Sequence, residues 1–449
     1  MRLTSKHVVG GASAVAVLLL AAGIYRVIEE RRRRPNILLI ISDDQRYDDM
    51  RFMPRTQARI FDQGIAFERA YVTTPQCCPS RATILSGLYA HNHGVQNNEI
   101  ELYEPTFVEL LHGEGYYTGV IGKYLNSYPD DFEDPPRPEF DLWVTYISAV
   151  TSQYNNPELN INGEWQVVEG YQTYILRDFA LEFFEAAQTE GRPFLLIWAP
   201  YVPHTPAVPA PGHDSLYDDL GLDKPPNFNE DDVSDKANWL QEFPQLDGET
   251  RRDMKKLRVR RAQTMESLDL AVESMLDDLE ARGMLDDTLV IYLSDNGRLA
   301  GEHRLEGGKI FAYEPTSRVP FAIRYPPLIK EPRVESHLIA NLDIAPTIYD
   351  LVGIDDAVPV DGQSLVPIMA GTVDADAWRD GIILEAWETK RGPAYTAYHT
   401  GRYVYIDYEG DVEEFYDLEE DPYQLDSRID APEYASLIEE VKLLLAEEW

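Results

Sequence analysis

The chain has 449 residues, and 44% of them are hydrophobic, which is enough to bury a large core. Its 78 acidic residues outnumber its 40 basic residues and give a formal net charge of −38. This balance argues against nucleic acid as a partner, because a phosphate backbone binds a basic face. An anionic substrate would need a pocket that is locally basic. The only two cysteines, Cys77 and Cys78, are adjacent, so they do not predict a structural disulfide.

The N-terminal segment contains an uncharged stretch, residues 8–25, that is just long enough to span a bilayer. No small-x-small cleavage site follows it, which favours an uncleaved signal anchor over a cleaved signal peptide. Arginines at positions 26 and 31–34 outnumber the basic residues before the stretch. The positive-inside rule would then keep the rest of the chain in the cytoplasm. The stretch therefore predicts a membrane anchor whose orientation stays open.

From residue 35 onward, short apolar runs rich in β-forming residues alternate with helical patterns. This alternation is typical of an α/β domain built on a mostly parallel sheet. Longer helical patterns follow over 249–282 and 343–351. Open α/β sheets bind ligands at the carboxyl ends of their strands, so polar residues that follow a strand are the first site candidates. The predicted strands are 36–42, 116–122, 194–200, 288–294 and 320–325.

The sequence pattern changes after about residue 370. Antiparallel strands are predicted within 394–408 and 413–418, and a closing amphipathic helix over 431–449. Two segments rich in Pro and Asp, 129–138 and 203–226, are predicted to be long surface loops. The predicted organisation is an anchor and basic linker over 1–34, a catalytic α/β domain over 35–370, and a C-terminal subdomain with an antiparallel sheet and a helix over 371–449.

Acidic residues follow two of the predicted strands. Asp43 and Asp44 come after the first strand, and Asp295 and Asn296 after the fourth. Adjacent carboxylates repel unless a cation or a shared proton relieves them, so these residues predict a metal site. Oxygen ligands without Cys or His suit a hard cation, Ca²⁺ first and Mg²⁺ second, whereas zinc prefers nitrogen or sulfur. A solvated acidic turn is the alternative for the first pair.

The paired cysteines open a predicted helix. Pro79 suits its first turn, and Gly87 ends it. Cys77 would therefore lie at a helix N-terminus, where backbone N–H groups favour an anion or a thiolate. A buried structural thiol is the alternative interpretation.

The stretch "CCPSRATILSG" resembles the modification motif of the sulfatases, C-x-P-S-R, three variable residues, then Leu-Ser/Thr-Gly. The resemblance continues through "RPNILLIISDDQ", "APYVPHTP", "LVIYLSDNG" and "EFYDLEEDPYQL", over most of the chain. It is strongest to the subgroup of N-acetylglucosamine-6-sulfatases and heparan sulfate endosulfatases, through the Cys-Cys pair, "AHNHGV" and "GKYLN". It implies an alkaline-phosphatase-like fold, in which helices sandwich a large mostly parallel sheet and a smaller C-terminal α+β domain follows. The motif matches at Cys77, Pro79, Ser80, Arg81, Leu85, Ser86 and Gly87.

The resemblance also implies the chemistry. Cys77 would be oxidised to Cα-formylglycine by a maturation enzyme, and one hydroxyl of the hydrated aldehyde would attack sulfur while the second releases sulfate. Arg81 would anchor the hydrate, and His204 would contact or protonate the leaving oxygen. The implied Ca²⁺ ligands are Asp43, Asp44, Asp295, Asn296 and the group at Cys77, and the implied sulfate ligands are Lys123 and Lys309.

Two departures from the family pattern concern basic residues. The Gly-Lys-x-His of many members ends here in "GKYLN", so Asn126 is the predicted replacement for a histidine. Other members carry a histidine four residues after the metal Asp, where this chain has Leu299, and His303 is the predicted substitute. Asn126 and His303 are therefore candidate substrate contacts.

Three functions are compatible with these patterns. The first is a sulfuric ester hydrolase that acts on a carbohydrate sulfate, similar to glucosamine 6-sulfate. The second is a phosphodiester or phosphonate monoester hydrolase of the same superfamily. The third is a membrane-anchored pseudoenzyme that binds sulfated glycans without cleaving them. The anchor and the implied maturation predict that the catalytic domain is extracytoplasmic, either periplasmic or extracellular.

Overall fold

A mixed sheet of ten strands dominates the computed structural model, which describes residues 34–147, 154–354 and 358–449. The strand order across this sheet is β11-β2-β10-β9-β1-β8-β4-β5-β6-β7, and β12 pairs with β3 in a separate two-stranded sheet. These strands are β1 Asn36–Ser42, β2 Ile65–Phe67, β3 Ala70–Tyr71, β4 Tyr117–Gly122, β5 Leu142–Thr145, β6 Glu158–Ile161, β7 Glu164–Val167, β8 Phe194–Ala199, β9 Thr288–Ser294, β10 Phe321–Arg324, β11 Arg333–Glu335 and β12 Ile339–Ala340.

The central strands β9, β1, β8, β4 and β5 are parallel. Their register places Ser42 opposite Ser294, and Gly122 opposite Ala199. The carboxyl ends of these strands therefore meet at one edge of the sheet. All five strands predicted from apolar runs are confirmed, although β10 runs antiparallel to β9.

Helices cover both faces of the sheet. Along β1, Ile37 and Leu39 enter one apolar core and Leu38 and Ile40 enter the other, which explains the uninterrupted apolar sequence of this strand. The predicted α/β sandwich is confirmed. The main helices are Cys77–Ser86, Phe107–Gly113 and Ile344–Val352 on the first face, and Gln172–Glu190 and Gly248–Ala281 on the second. Shorter α-helices are Pro54–Thr56, Ala90–His93, Asn238–Gln241, Glu314–Ser317 and Val366–Met369.

The C-terminal region forms a separate antiparallel sheet of four strands in the order β13-β14-β15-β16. The predicted C-terminal sheet and helix are thus confirmed, and Ile438 and Val441 of the helix share a core with the sheet. Residues 36–449 form one compact unit, so the division at residue 370 stays a prediction. The segments 129–138 and 203–226 contain no helix or strand, as predicted. The elements are β13 Ile382–Ala386, β14 Tyr395–His399, β15 Tyr403–Tyr408, β16 Glu414–Asp417 and helix Ala435–Glu448.

Candidate functional site

The two acidic pairs meet at the carboxyl edge of the sheet, because β1 and β9 are neighbours in register. The backbone N–H of Asp44 donates to Asp295 Oδ1 over 3.1 Å. Asn296 Nδ2 donates to Asp44 Oδ1 over 2.7 Å. Asp43 and the other three side chains are fully buried. The structure therefore brings together the four residues that the sequence predicts as metal ligands.

The backbone of Asp44 is held in the left-handed region, with φ of 63°. This conformation costs free energy for a residue with a side chain, so the surroundings must enforce it. Arg261, buried in the helix Gly248–Ala281, donates from Nη2 to the Asp44 carbonyl oxygen over 2.7 Å. Its Nη1 donates to the Pro203 carbonyl oxygen over 2.9 Å. Arg261 therefore fixes the strand end that carries Asp44 and the loop that carries His204.

Cys77 is the first residue of the helix Cys77–Ser86, which ends at Gly87 with φ of 75°. Its Sγ lies 3.7 Å from Asp43 Oδ1 and accepts from Lys309 Nζ over 2.6 Å. Asn341 anchors the helix, since its Nδ2 donates to the Ser80 carbonyl oxygen over 3.2 Å. The predicted helix is confirmed, and its first residue touches the acidic edge.

Each buried carboxylate is paired with a cation. Lys123 Nζ donates to Asp43 Oδ2 over 2.7 Å. Lys309 Nζ donates to Asp44 Oδ1 over 2.5 Å. Arg81 Nε donates to Asp295 Oδ2 over 2.8 Å, and its Nη1 to the carbonyl oxygen of residue 123 over 2.7 Å. We call this group the Cys77 cluster: Asp43, Asp44, Cys77, Arg81, Lys123, His204, Asp295, Asn296 and Lys309.

Gly122 lets Lys123 enter the cluster. Its φ of 108° is unfavourable for any other residue type. A Cβ atom at this position would collide with the carbonyl oxygen of Ala199 on the neighbouring strand. A side chain at residue 122 would therefore displace Lys123 from Asp43.

The ionisation of the cluster follows from this pairing. Burial alone would raise the pKa of Asp43, but the positive charges of Lys123, His204 and Arg81 together lower it. Burial likewise opposes the charge of Asp44, yet Lys309 holds its pKa well below the ordinary value. Burial raises the pKa of the Cys77 thiol to about 12. An unmodified Cys77 is therefore a protonated thiol at neutral pH, which is a weak nucleophile.

The donor set fits a hard divalent cation. Ligand atoms of Asp43, Cys77 and Asp295 all lie within 4.8 Å of one another, as do those of Asp43, Asp44 and His204. Asn296 Oδ1 is buried and accepts no hydrogen bond within the described ranges, so it is a spare acceptor beside the carboxylates. Carboxylate and amide oxygens are the ligands that Ca²⁺ and Mg²⁺ prefer.

His204 approaches the cluster from the loop after β8. Its Nδ1 lies 2.7 Å from the Thr205 carbonyl oxygen, which can only accept, so Nδ1 carries a hydrogen. Its Nε2 lies 3.6 Å from Asp44 Oδ2, and the side chain is 23% exposed. Nε2 can therefore exchange a proton with a group that enters from solvent.

Comparison with known proteins identifies the family. The "Sulfatase" family model matches residues 35–354. The chain belongs to the sulfatase family. A second model, "N-sulphoglucosamine sulphohydrolase, C-terminal", matches residues 301–448. The family predicted from the motifs is confirmed.

Two relatives are identical to this chain at about a third of the aligned positions. The Drosophila melanogaster extracellular sulfatase SULF-1 homolog is 33% identical over 355 residues, covering 75% of this chain. The Homo sapiens N-acetylglucosamine-6-sulfatase is 33% identical over 357 residues, covering 74% of this chain. The chain spans 31% of the length of the first relative and 63% of the second.

A solved structure with the same fold is described as a complex with its substrate D-glucosamine-2-N,6-O-disulfate. It superposes on this sulfatase with a TM-score of 0.80 at 25% identity. The match covers 92% of this chain and 97% of that chain. The fold implied by the sequence resemblance is therefore confirmed along nearly the whole chain.

The prediction of a membrane-anchored location is wrong, and the finding that contradicts it is the name of a relative. Within the ranges 34–147, 154–354 and 358–449, no helix combines the length and apolarity needed to cross a bilayer. The long helix Gly248–Ala281 is rich in charged residues, which would be costly in a bilayer. The Drosophila relative is named an extracellular sulfatase. The stretch 8–25, on which the anchor was predicted, lies outside the described residues.

The structure does not bring His303 to the Cys77 cluster. Its ring is fully buried, with Nδ1 2.7 Å from Glu230 Oε2 and Nε2 3.3 Å from Asn227 Nδ2. Both ring nitrogens are engaged, so its predicted substrate contact has no structural support. Asn126 lies half-buried in the turn after Lys123, and its predicted contact with substrate stays a prediction. Leu299, at the position of the family histidine, is buried in apolar surroundings.

The sequence patterns did not indicate two arginines that lie near the Cys77 cluster, Arg261 and Arg298. Arg261 lies among the buried residues of the helix Gly248–Ala281. A charged residue on the apolar face of a predicted helix could have indicated a buried polar contact. Arg298 directly follows the "SDNG" strand end, and its Nη1 lies 3.9 Å from Asp44 Oδ2. Burial lowers the pKa of Arg298, and nearby arginines, including Arg391, lower it further. Arg391 lies far away in the sequence, so only the fold reveals this proximity.

Proposed function

We propose that this chain hydrolyses a sulfate ester of a carbohydrate similar to glucosamine 6-sulfate. The observation that carries the proposal is the position of Cys77, whose Sγ lies 3.7 Å from Asp43 Oδ1 and 2.6 Å from Lys309 Nζ inside a buried cluster of carboxylates and cations. The names and described substrate of the relatives support the sugar class.

The residues present fit the two groups that the family implies. Ca²⁺, with Mg²⁺ as the second choice, would polarise a sulfate ester and favour deprotonation of a nearby hydroxyl. Cα-formylglycine at position 77 would supply a hydrated aldehyde as nucleophile, and a formylglycine-generating enzyme is the implied maturation partner. The proposed cation ligands are Asp43, Asp44, Asp295 and Asn296.

The cations of the cluster would bind and orient the ester. The ammonium of Lys309 contacts Cys77, and that of Lys123 pairs with Asp43, which lies beside Cys77, so both would attract sulfate oxygens there. Arg81 Nη2 is buried and makes no hydrogen bond within the described residues, so a donor remains to hold the group at position 77. His204 Nε2 would give a proton to the leaving sugar oxygen.

The decisive experiment combines mass analysis with sulfate release. The chain is produced with and without a formylglycine-generating enzyme, and the Cys77 peptide of each preparation is analysed. We expect release of sulfate from glucosamine 6-sulfates only in the matured preparation, and loss of release when Ca²⁺ is chelated. Full activity with an unmodified Cys77 would contradict the proposal.

The same assay separates the other two functions. Faster turnover of an aryl phosphodiester or phosphonate monoester than of any sulfate ester would favour the phosphoryl hydrolase. Binding of sulfated saccharides by the matured chain without release of sulfate would favour the glycan-binding pseudoenzyme.

A further inference from the structure

A cavity of about 930 Å³ adjoins the Cys77 cluster. Its size is within the range of about 300–1,000 Å³ that is usual for small-molecule sites. Gly308, the residue before Lys309, lies in its wall, and so does Arg298, which approaches Asp44. Arg298 therefore links this cavity to the Cys77 cluster, and the cavity has room for the remainder of a saccharide.

The guanidinium groups of Arg298 and Arg391 lie against two consecutive glycines in this wall, Gly307 and Gly308. A Cβ atom on Gly307 would collide with Arg298 Nη2. A Cβ atom on Gly308 would lie 3.4 Å from Arg391 Nη1. Consecutive Cα atoms are about 3.8 Å apart, so both guanidinium groups lie close to the backbone that leads into Lys309. The missing side chains at 307 and 308 leave the space that these two arginines occupy.

Arg391 and its neighbour Lys390 are exposed cations without partners. Neither side chain makes a hydrogen bond or an ion pair with any described residue. In a chain of net charge −38, a cation would be expected to find a carboxylate. Among the described residues, the one carboxylate near the Arg298 side chain is Asp44 at 3.9 Å, and Asp44 is already paired with Lys309. The part of the cavity wall formed by Arg298, Lys390 and Arg391 therefore carries positive charge in an acidic protein.

Four carboxylates also line this cavity, and one of them, Glu306, directly precedes Gly307. Asp247 is engaged as a helix cap and accepts from the backbone of Glu249 and Thr250 over 3.0 and 2.8 Å. Asp253 is paired with Lys256 over 2.8 Å. Glu249 and Glu306 are exposed to solvent, where water screens their charge.

We propose that Arg298 and Arg391 bind a second anionic group on the same saccharide, an N-sulfate or a uronate carboxylate. The inference rests on the proposed function, because it takes the scissile ester to lie at Lys309 and Cys77. The preferred substrate class is then a saccharide with at least two anionic groups. Arg391 comes from the loop between β13 and β14, so the C-terminal sheet supplies a determinant of specificity.

The test compares two saccharides that differ at one position, glucosamine-2-N,6-O-disulfate and N-acetylglucosamine 6-sulfate. We expect kcat/KM of the matured chain to be at least about tenfold higher for the disulfate, which is the usual contribution of a charged hydrogen bond. Arg391→Gln should remove this preference, with a much smaller loss on the monosulfate. Lys330→Gln, the same charge change on a distant exposed loop, should leave the preference intact. Equal losses on both saccharides in Arg391→Gln would overturn the proposal.

A binding measurement separates this inference from the proposed function. In the Ca²⁺-loaded Cys77→Ala chain, calorimetry should show tighter binding of the disulfate than of the monosulfate, and Arg298→Gln or Arg391→Gln should abolish the difference. Equal affinities would overturn the second-anion site even if sulfate is released. A preserved difference without release from the matured chain would overturn only the proposed function. A 6-sulfated disaccharide with a uronate and no N-sulfate identifies which anion is bound.

Discussion

The Cys77 cluster and a second group of ionised side chains use the same residue types for different purposes. The second group, which we call the Glu230 network, consists of Glu230, Asp235, Lys236 and His303. Lys236 is fully buried and pairs with Asp235 over 2.6 Å, and His303 pairs with Glu230 over 2.7 Å. Lys236 also donates to the Leu425 carbonyl oxygen over 2.5 Å, which joins the C-terminal segment to the loop before the long helix.

The difference between the two regions is access. The side chains of His303 and Lys236 are 0% exposed, whereas those of His204 and Lys309 are 23% and 16% exposed. The Cys77 cluster also keeps the spare acceptor Asn296 Oδ1, which suits a cation. Buried charge alone is therefore not a sign of catalysis. A catalytic site also needs side chains that converge on one point, an acceptor atom without a partner, and access for the substrate.

The largest expected effect is at the paired cysteines. Cys77→Ala should lower kcat/KM for sulfate esters by at least about 1,000-fold, because loss of a covalent nucleophile is seldom compensated. Cys78→Ala is the matched control. Its Sγ is buried 3.4 Å from Ser127 Oγ, outside the acidic edge, so its activity should stay within a few-fold of wild type. Sulfate release by a matured preparation measures both, and similar losses in both variants would argue for a packing role of Cys77.

The next effect concerns the spare acceptor of the Cys77 cluster. Asn296→Ala removes one proposed oxygen ligand, so Ca²⁺ should stabilise the variant less than the wild type. We expect the Ca²⁺-induced rise in Tm to shrink, and activity at low Ca²⁺ to fall about 100-fold with partial recovery at high Ca²⁺. Asn92→Ala, at an exposed asparagine that donates to Asp361 over 2.9 Å, is the control. An unchanged Ca²⁺ response in Asn296→Ala would remove Asn296 from the ligand set.

The Glu230 network should affect stability rather than catalysis. Glu230→Gln leaves the buried His303 and Lys236 with one fewer carboxylate, and should lower the free energy of unfolding by about 3–5 kcal/mol. The kcat of the folded variant should stay within about threefold, since the network is closed to substrate. Asp178→Asn breaks the exposed pair with Arg177 and should cost at most about 1 kcal/mol. Denaturant unfolding measures the difference, and a large loss of kcat in Glu230→Gln would make the two regions functionally alike.

The smallest effect is a pH dependence beneath the Cys77 cluster. His93 Nε2 lies 3.0 Å from Thr83 Oγ1 in the helix Cys77–Ser86, and Nδ1 accepts from the Val95 backbone over 3.1 Å. Burial lowers the pKa of His93 from 6.5 to about 4. The folded state therefore binds fewer protons than the unfolded state, and stability is lost as the pH falls from about 6.5 towards 4.

The matched variant is His93→Gln, which cannot titrate in this range. Between pH 7 and pH 4.5 the wild type should lose about 2 kcal/mol more of its free energy of unfolding than the variant. Parallel curves for the two chains would show that His93 binds its proton as readily in the folded protein as in the unfolded chain. Burial would then not oppose its protonation.

Much of the fold could be predicted from the sequence, because local patterns encode it. The apolar runs of β1 and β9 predicted both strands with the bounds that the structure has. The polar residues after them marked the carboxyl edge, which predicted the meeting of Asp43 with Asp295. The motif around Cys77 predicted the helix that begins there and the family to which the protein belongs. Each of these signals is contained within about a dozen consecutive residues.

Contacts between distant segments could not be predicted in this way. Spacing in the sequence suggested His303 as a substitute for the family histidine, but the chain turns it toward Glu230. Arg298 and Arg391 are 93 residues apart in the sequence (391 − 298), and no local pattern links Arg391 to Gly307 and Gly308. The pairing of Lys123 with Asp43 likewise depends on how strands β4, β8 and β1 lie side by side.

By itself, the sequence determined the strands, the helix that begins at Cys77, the acidic strand ends and the family. Local propensity and the apolar pattern act over a few residues, so these features can be found without coordinates. Only the tertiary structure decided which cation meets which carboxylate, which histidine reaches the Cys77 cluster, and that Arg391 lines a cavity with Arg298. Those outcomes depend on packing between segments far apart in the chain, where small differences in burial and charge choose among many possible neighbours.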